Sequence, residues 1–134
     1  MMFNIRTGHS VNQIPNDEIV IFVSSLPRIS KQGGKFVFTN QHAYPLAAKY
    51  FNTLNGLDEI DWDLLNRRDF KHDPDDPAKK ERYQAEALIW KYVPIQALLG
   101  VCCYSSATKE RIGREVERRD LAFNVAVQPN WYFE

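Results

Sequence analysis

Residues 66–82 read NRRDFKHDPDDPAKKER, in which eleven of seventeen residues are Asp, Glu, Lys or Arg and two are Pro. Such a stretch has too little apolar surface to bury and no period of its own, so it is expected to run over the surface as a long loop. Loops of that length inside a compact domain mostly carry function. The chain then passes straight into RYQAEALIWKY, rich in strand formers, and a strand is predicted over 82–92. On a strand, Arg82, Gln84 and Glu86 would share one face, and Tyr83, Ala85, Ala87 and Ile89 the other. An acid and an amide therefore stand where a sheet is about to be buried.

The rest of the chain is more ordinary. EIVIFVSS (18–25) and KFVFTN (35–40) read as strands, joined by a short turn or helical connection punctuated by Gly33-Gly34. AYPLAAKYFNTL (43–54) suits a helix with Pro45 in its first turn, and Asp61 is placed to cap a second, short one. VPIQALLG (93–100) reads as a short helix from Pro94 to Gly100, and VCCYS (101–105) as a strand. From Ser106 an amphipathic helix is predicted, capped by Ser105 or Ser106, with Ile112 and Val116 facing in. FNVAV (123–127) and NWYF (130–133) close the chain as strands. With no βαβ rhythm and no phosphate-loop glycines, the fold class expected is α+β, in one domain over 1–134.

Composition bounds the function classes. The 134 residues carry 17 basic and 17 acidic side chains, so no overall field advertises nucleic acid, although a local basic surface can still bind it. No apolar run approaches the roughly 20 residues that span a bilayer, and MMFNIRTGHS has no signal-peptide core. Cys102 and Cys103 are adjacent, with no Cys/His spacing for zinc; they read as one core and one surface residue. A cytoplasmic protein without a membrane or metal is expected.

Three readings of Glu86 follow from the residues. It faces water on an edge strand; or it joins Asp75 and Asp76 as ligand in a metal-dependent nuclease; or it stabilises a sugar cation in glycosyl transfer from NAD. The nuclease needs a lysine one residue from the acid, and Lys91 is too far along. In the third reading, a carboxylate held on a rigid strand hydrogen-bonds a ribose hydroxyl while the ribose–nicotinamide bond breaks. Gln84 then faces the acceptor.

FVFTNQHAYPLAAKYFN (36–52), IDWDLLNRRDF (60–70) and RYQAEALIWKYVPIQALLGV (82–101) together resemble the DarT family, bacterial toxins that ADP-ribosylate a base of single-stranded DNA. The resemblance implies an ADP-ribosyltransferase-like mixed sheet with flanking helices. It implies Glu86 as the catalytic glutamate, His42 as an active-site histidine toward NAD, and the preceding loop as the substrate-recognition element. Arg82, Tyr83 and Gln84, with Lys79 and Lys80 on phosphates, would then meet the DNA. NAD is implied as a substrate, single-stranded DNA and a macrodomain-type antitoxin as partners. The family's N-terminal third, with the histidine-bearing strand and arginine that hold NAD, has no counterpart here, so an N-terminally truncated version is expected; Arg6 lies near that gap. The alternative is a non-catalytic remnant that binds single-stranded DNA or an antitoxin. His9 and His72 read as exposed, Trp62, Trp90 and Trp131 as core, and Arg67, Arg68 and Lys71 as solvated surface.

With half a pocket, the chain as given is expected to bind NAD weakly or not at all. Calorimetric titration checks this, and micromolar affinity would count against it.

Overall fold

The structure, a computed structural model, describes residues 14–132; Arg6, His9 and Phe133 lie outside them. The strands and helices are mixed in α+β fashion and fall into two compact units. One runs to Ser25 and resumes at Ile95, and the other is Leu26–Pro94.

In the Leu26–Pro94 unit, helix α1 (Leu26–Lys31) ends at Gly33, whose φ of 75° suits a residue without Cβ. The Gly33 and Gly34 amides close the helix by donating to the Ser30 and Ile29 carbonyls. Strand β2 (Phe36–Thr39) is the centre of a three-stranded antiparallel sheet, with β3 (Tyr50–Phe51) on one side and β4 (Ala87–Ile89) on the other. Phe38 is buried and stacks on Phe51, ring centroids 5.2 Å apart. Helix α2 (Trp62–Arg67) starts as expected at Asp61, whose Oδ1 accepts from the Leu64 amide at 3.0 Å.

Three expectations fail in this unit. No helix forms over 43–53; after one turn at Pro45 the chain enters β3 and then a 3-10 helix, Leu54–Glu59. The apolar spacing of 43–54 mimicked a helix, but Tyr44 and Leu46 stand 91% and 107% exposed, so no helical face is buried there. The strand predicted over 82–92 is only Ala87–Ile89, because Lys79–Arg82 is a helical turn, α3. Residues 66–82 are accordingly no irregular loop: they include the end of α2, turns at 74–75 and 77–78, and α3. Trp62 and Trp90, read as core, are exposed.

In the other unit β5 (Gly100–Cys103) is central, antiparallel to β1 (Val20–Val23) and parallel to β6 (Asn124–Val127). Both cysteines are buried, where one surface residue was expected, since a central strand here has both faces covered. Gly100 begins β5 rather than ending a helix. A methyl group on it would meet the Asn124 carbonyl oxygen at 2.6 Å, so glycine sets how closely β6 approaches. The predicted helix at 93–100 is a 3-10 turn, Ile95–Ala97. Helix α4 (Ser106–Arg118) is capped by Ser105, which accepts from the Thr108 amide at 3.3 Å. Ile112 and Val116 are half-buried on it. Its C-terminus closes through Leu121 N–H to Val116 O and Asp120 N–H to Glu117 O, with Asp120 at φ 51°.

The strand predicted at 130–133 is instead a 3-10 turn, Pro129–Trp131, because Pro129 opens it and Trp131 and Tyr132 bond back to Gln128 and Pro129. Trp131, also read as core, is exposed. This turn delivers Tyr132 inward. Its hydroxyl donates to Cys102 O at 2.8 Å and reaches Ile19 O at 3.1 Å, so one side chain ties the chain after β6 to β5 and to the entry of β1.

Burial, chiefly, and the thiols of Cys103 and Cys102 push the Tyr132 phenol up to about 12. The unfolded chain ionises tyrosine near pH ~10. Between these values the unfolded state binds fewer protons, so stability falls as pH rises, by about 1.4 kcal/mol per unit from this group. Tyr132→Phe lacks that dependence and loses about 1 kcal/mol of hydrogen bonding. Urea unfolding should show wild type ahead of Tyr132→Phe at pH 8 and the two level by about pH 11.

Candidate active site

Strand β2 ends at Thr39, which is buried and grips the backbone of Glu86 from both sides. The Thr39 amide donates to Glu86 O at 2.9 Å, and the Glu86 amide donates to Thr39 Oγ1 at 3.4 Å. Glu86 thus sits immediately before β4 with its backbone fixed and its side chain exposed. An open pocket of about 250 Å³ lies here, lined by Leu26, Phe38, Ile60, Trp62 and Glu86 among others. Glu86 is the one titratable group on that lining among the described residues. A carboxylate at the rim of an apolar pocket acts strongly on a cation there once bound substrate displaces the water that screens it.

The approach to Glu86 is held by charge. Arg82 Nη1 and Nη2 donate to Asp76 Oδ1 and Oδ2 at 3.1 and 2.5 Å, a two-pronged pair, while its Nε donates to Asp61 Oδ2 at 3.0 Å. Asp61 therefore caps α2 with one oxygen and holds Arg82 with the other. Next along the chain, Tyr83 donates its hydroxyl to Leu64 O at 2.7 Å and packs on Phe70, centroids 4.8 Å apart. At the other end of α3, Lys79 donates to Asp69 at 2.8 Å. Lys79, expected on phosphates, is only 8% exposed.

Arg82, Gln84 and Glu86 do not line one face of a strand, because Arg82 belongs to α3 and Tyr83–Gln84 to the turn that follows. Gln84 is half-buried, with its amide on Glu81 O at 3.0 Å. Lys80 is exposed on α3. His42 is brought to the same end of the sheet as Glu86: its amide donates to Glu81 O at 2.8 Å, and its Nδ1 accepts from the Tyr44 amide at 3.1 Å. That bond leaves any ring proton of a neutral His42 on Nε2. Sequence reasoning missed Thr39 and the Asp61–Arg82 pair. Thr39 had a local signal, as the one polar residue of an apolar strand; the pair, 21 residues apart, had none. Among the described residues no cluster of three His, Cys, Asp or Glu side chains could hold a metal ion, and no helix is long and apolar enough to cross a membrane.

The hydrogen bonds from Arg82 hold the Asp76 carboxyl below its ordinary range, and the one from Lys79, with another from the Lys71 amide, does the same for Asp69. A carboxylate with a lowered folded pKa contributes stability above its unfolded value and loses it as pH falls through the folded one. The urea midpoint should therefore hold from pH 7 to about pH 5 and drop below about pH 4. Asp76→Asn should start from a lower midpoint and show a shallower acid limb.

Comparison with known proteins identifies the family. Residues 1–133 match the family described as ssDNA thymidine ADP-ribosyltransferase, DarT. A DNA ADP-ribosyl transferase of Escherichia coli O127:H6 is 46% identical over 134 residues, covering 99% of this chain and 62% of that protein. Thermus sp. 2.9 DarT in complex with NAD+ superposes with a TM-score of 0.86 at 25% identity, covering 98% of this chain and 66% of that one. The same Thermus protein in complex with ADP-ribosylated ssDNA gives 0.85 at 25% identity, covering 98% and 63%. The chain thus spans a little under two thirds of these relatives. Matched along nearly its whole length by the family pattern, it belongs to the DarT family.

Proposed function

We propose that this protein transfers ADP-ribose from NAD to a thymidine base in single-stranded DNA, as the toxin of a toxin–antitoxin pair, with Glu86 as its catalytic carboxylate. The observation that carries the reading is the placement of Glu86: a lone ionisable side chain on an apolar pocket wall, its backbone clamped by Thr39 at the mouth of β4. It is supported by a relative, Thermus sp. 2.9 DarT, whose solved forms hold NAD+ and ADP-ribosylated ssDNA. In the reaction, the bond from ribose C1′ to the nicotinamide nitrogen breaks and nicotinamide leaves with the electron pair. The base's ring nitrogen bonds to C1′ and releases its proton to solvent. Charge at C1′ is greatest between these events, and there a fixed carboxylate lowers the barrier most.

The other residues divide by how they are engaged. Arg82, Tyr83 and Lys79 spend their polar groups on Asp76, Asp61, Leu64 and Asp69, which fits positioning of the 79–86 segment better than direct contact with DNA. Gln84 and the exposed Lys80 remain the acceptor-side residues, with Lys80 suited to phosphate, and His42 faces NAD. The antitoxin partner is of macrodomain type. Bacterial DNA as substrate places the activity in the cytoplasm.

The test is transfer of labelled ADP-ribose to a thymidine-containing single-stranded oligonucleotide. It is run with the chain alone and with the chain joined to the part of the Escherichia coli relative that it does not match. Glu86→Gln keeps size and loses charge, so transfer should drop on the order of a hundredfold or more while oligonucleotide affinity holds. Transfer at the parental rate would remove Glu86 from the mechanism. Binding of DNA without transfer in both forms would favour a non-catalytic binding protein.

A further inference from the structure

At the far end of β4 lies a second pocket, of about 280 Å³, whose lining includes Gly33, Lys35, Trp90, Lys91 and Tyr92. It carries two lysines and two aromatic rings and, among the described residues, no acid. Trp90 and Tyr92 are 67% and 71% exposed, far more than packing would leave two large rings. The backbone that carries the rings is fixed. The Trp90 amide donates to Lys35 O at 2.8 Å, the last rung between β4 and the segment entering β2. Lys91 follows at φ 66°, a conformation that lysine seldom adopts and that turns the chain sharply between the two aromatics.

We infer that this pocket is a subsite for single-stranded DNA, taking a nucleotide that flanks the modified thymidine, with Trp90 stacking on its base and Lys35 and Lys91 meeting phosphates. The inference rests on the function proposed above and adds where the strand goes after it leaves Glu86. Flat apolar rings beside cations, without acids, match a nucleic-acid strand in both its chemical parts. Position supports the same occupant. From Glu86 to Trp90 is four residues of extended chain, about 13 Å, on an edge strand with no further strand paired to it among the described residues. Leu88, between them, is exposed as well. A single strand laid along this edge reaches both ends without bending.

The experiment is fluorescence anisotropy of the chain with a labelled thymidine dinucleotide, confined to the Glu86 end, and with a longer oligothymidylate that spans both pockets. The longer ligand should bind more tightly. Trp90→Ala should weaken it about five- to a hundredfold, leave the dinucleotide unchanged, and be largely rescued by Trp90→Phe. Lys35→Ala with Lys91→Gly removes both charges and relieves the strained φ, so thermal stability should hold. The slope of log affinity against log salt should then flatten by about 1.4, at roughly 0.7 per lost phosphate contact. Parental affinity for the longer ligand in both variants overturns the subsite and leaves the proposed function standing. So does a longer ligand that binds no better than the dinucleotide. Absence of binding to either ligand, both by the parent chain and by the chain joined to the unmatched part of the Escherichia coli relative, overturns the proposed function and the subsite together.

Discussion

The segment that presents Glu86 depends on one guanidinium. Arg82 meets Asp76 through two parallel hydrogen bonds and Asp61 through a third, and Asp61 in turn caps α2. A planar fork with donors on two edges can do this, and an ammonium cannot, so lysine would not replace it. The result is that a stretch dense in charge, which could not bury itself, is ordered by pairing its charges internally. Lys79 with Asp69 repeats the device at the other end of α3. Isolated surface ion pairs contribute little; several sharing partners in a connected set hold a geometry.

That order is what makes the pocket usable. The chain leaves the helical turn α3 at Arg82 and enters β4 at Ala87, and Thr39 grips the Glu86 backbone at that change of direction. The shortness of β4 follows from the same cause. Arg82 is drawn back into α3 by its acids, so pairing with β2 starts only at Ala87. At the other end the positive φ of Lys91 stops the extended run. Between these limits the sheet carries the candidate catalytic carboxylate at one end and exposed aromatics at the other.

The unit built on β1, β5 and β6 has a different anchor, the buried Tyr132 hydroxyl on the carbonyls of Cys102 and Ile19. Its elements were legible where local chemistry decides: Ser105 among the cap candidates, the β-branched run of β1, and VCC as a strand, though not the burial of both its cysteines. Residues 130–132 were not, because Asn-Trp-Tyr has strand composition, and Pro129 and the burial of Tyr132 make Pro129–Trp131 a 3-10 turn. The 43–54 misreading has the same form. Its apolar period fitted a helix, but Phe51 gains more by stacking on Phe38 across a two-residue strand.

By itself the sequence determined the mixed class, both serine and aspartate caps, the strands with β-branched runs, and the Arg-Tyr-Gln-Ala-Glu stretch that carries the family resemblance. These depend on neighbours within a turn or a strand, where side-chain type and spacing suffice. Tertiary structure decided which charges were structural. Lys79 and Arg82 read as surface or substrate contacts until Asp69, Asp76 and Asp61 were seen against them. It also decided that Trp90 faces out and that Glu86 is, among the described residues, the one titratable group on an apolar wall. No local pattern encodes these outcomes, because each depends on a partner from a distant part of the chain, or on there being none, and only folding brings such partners together.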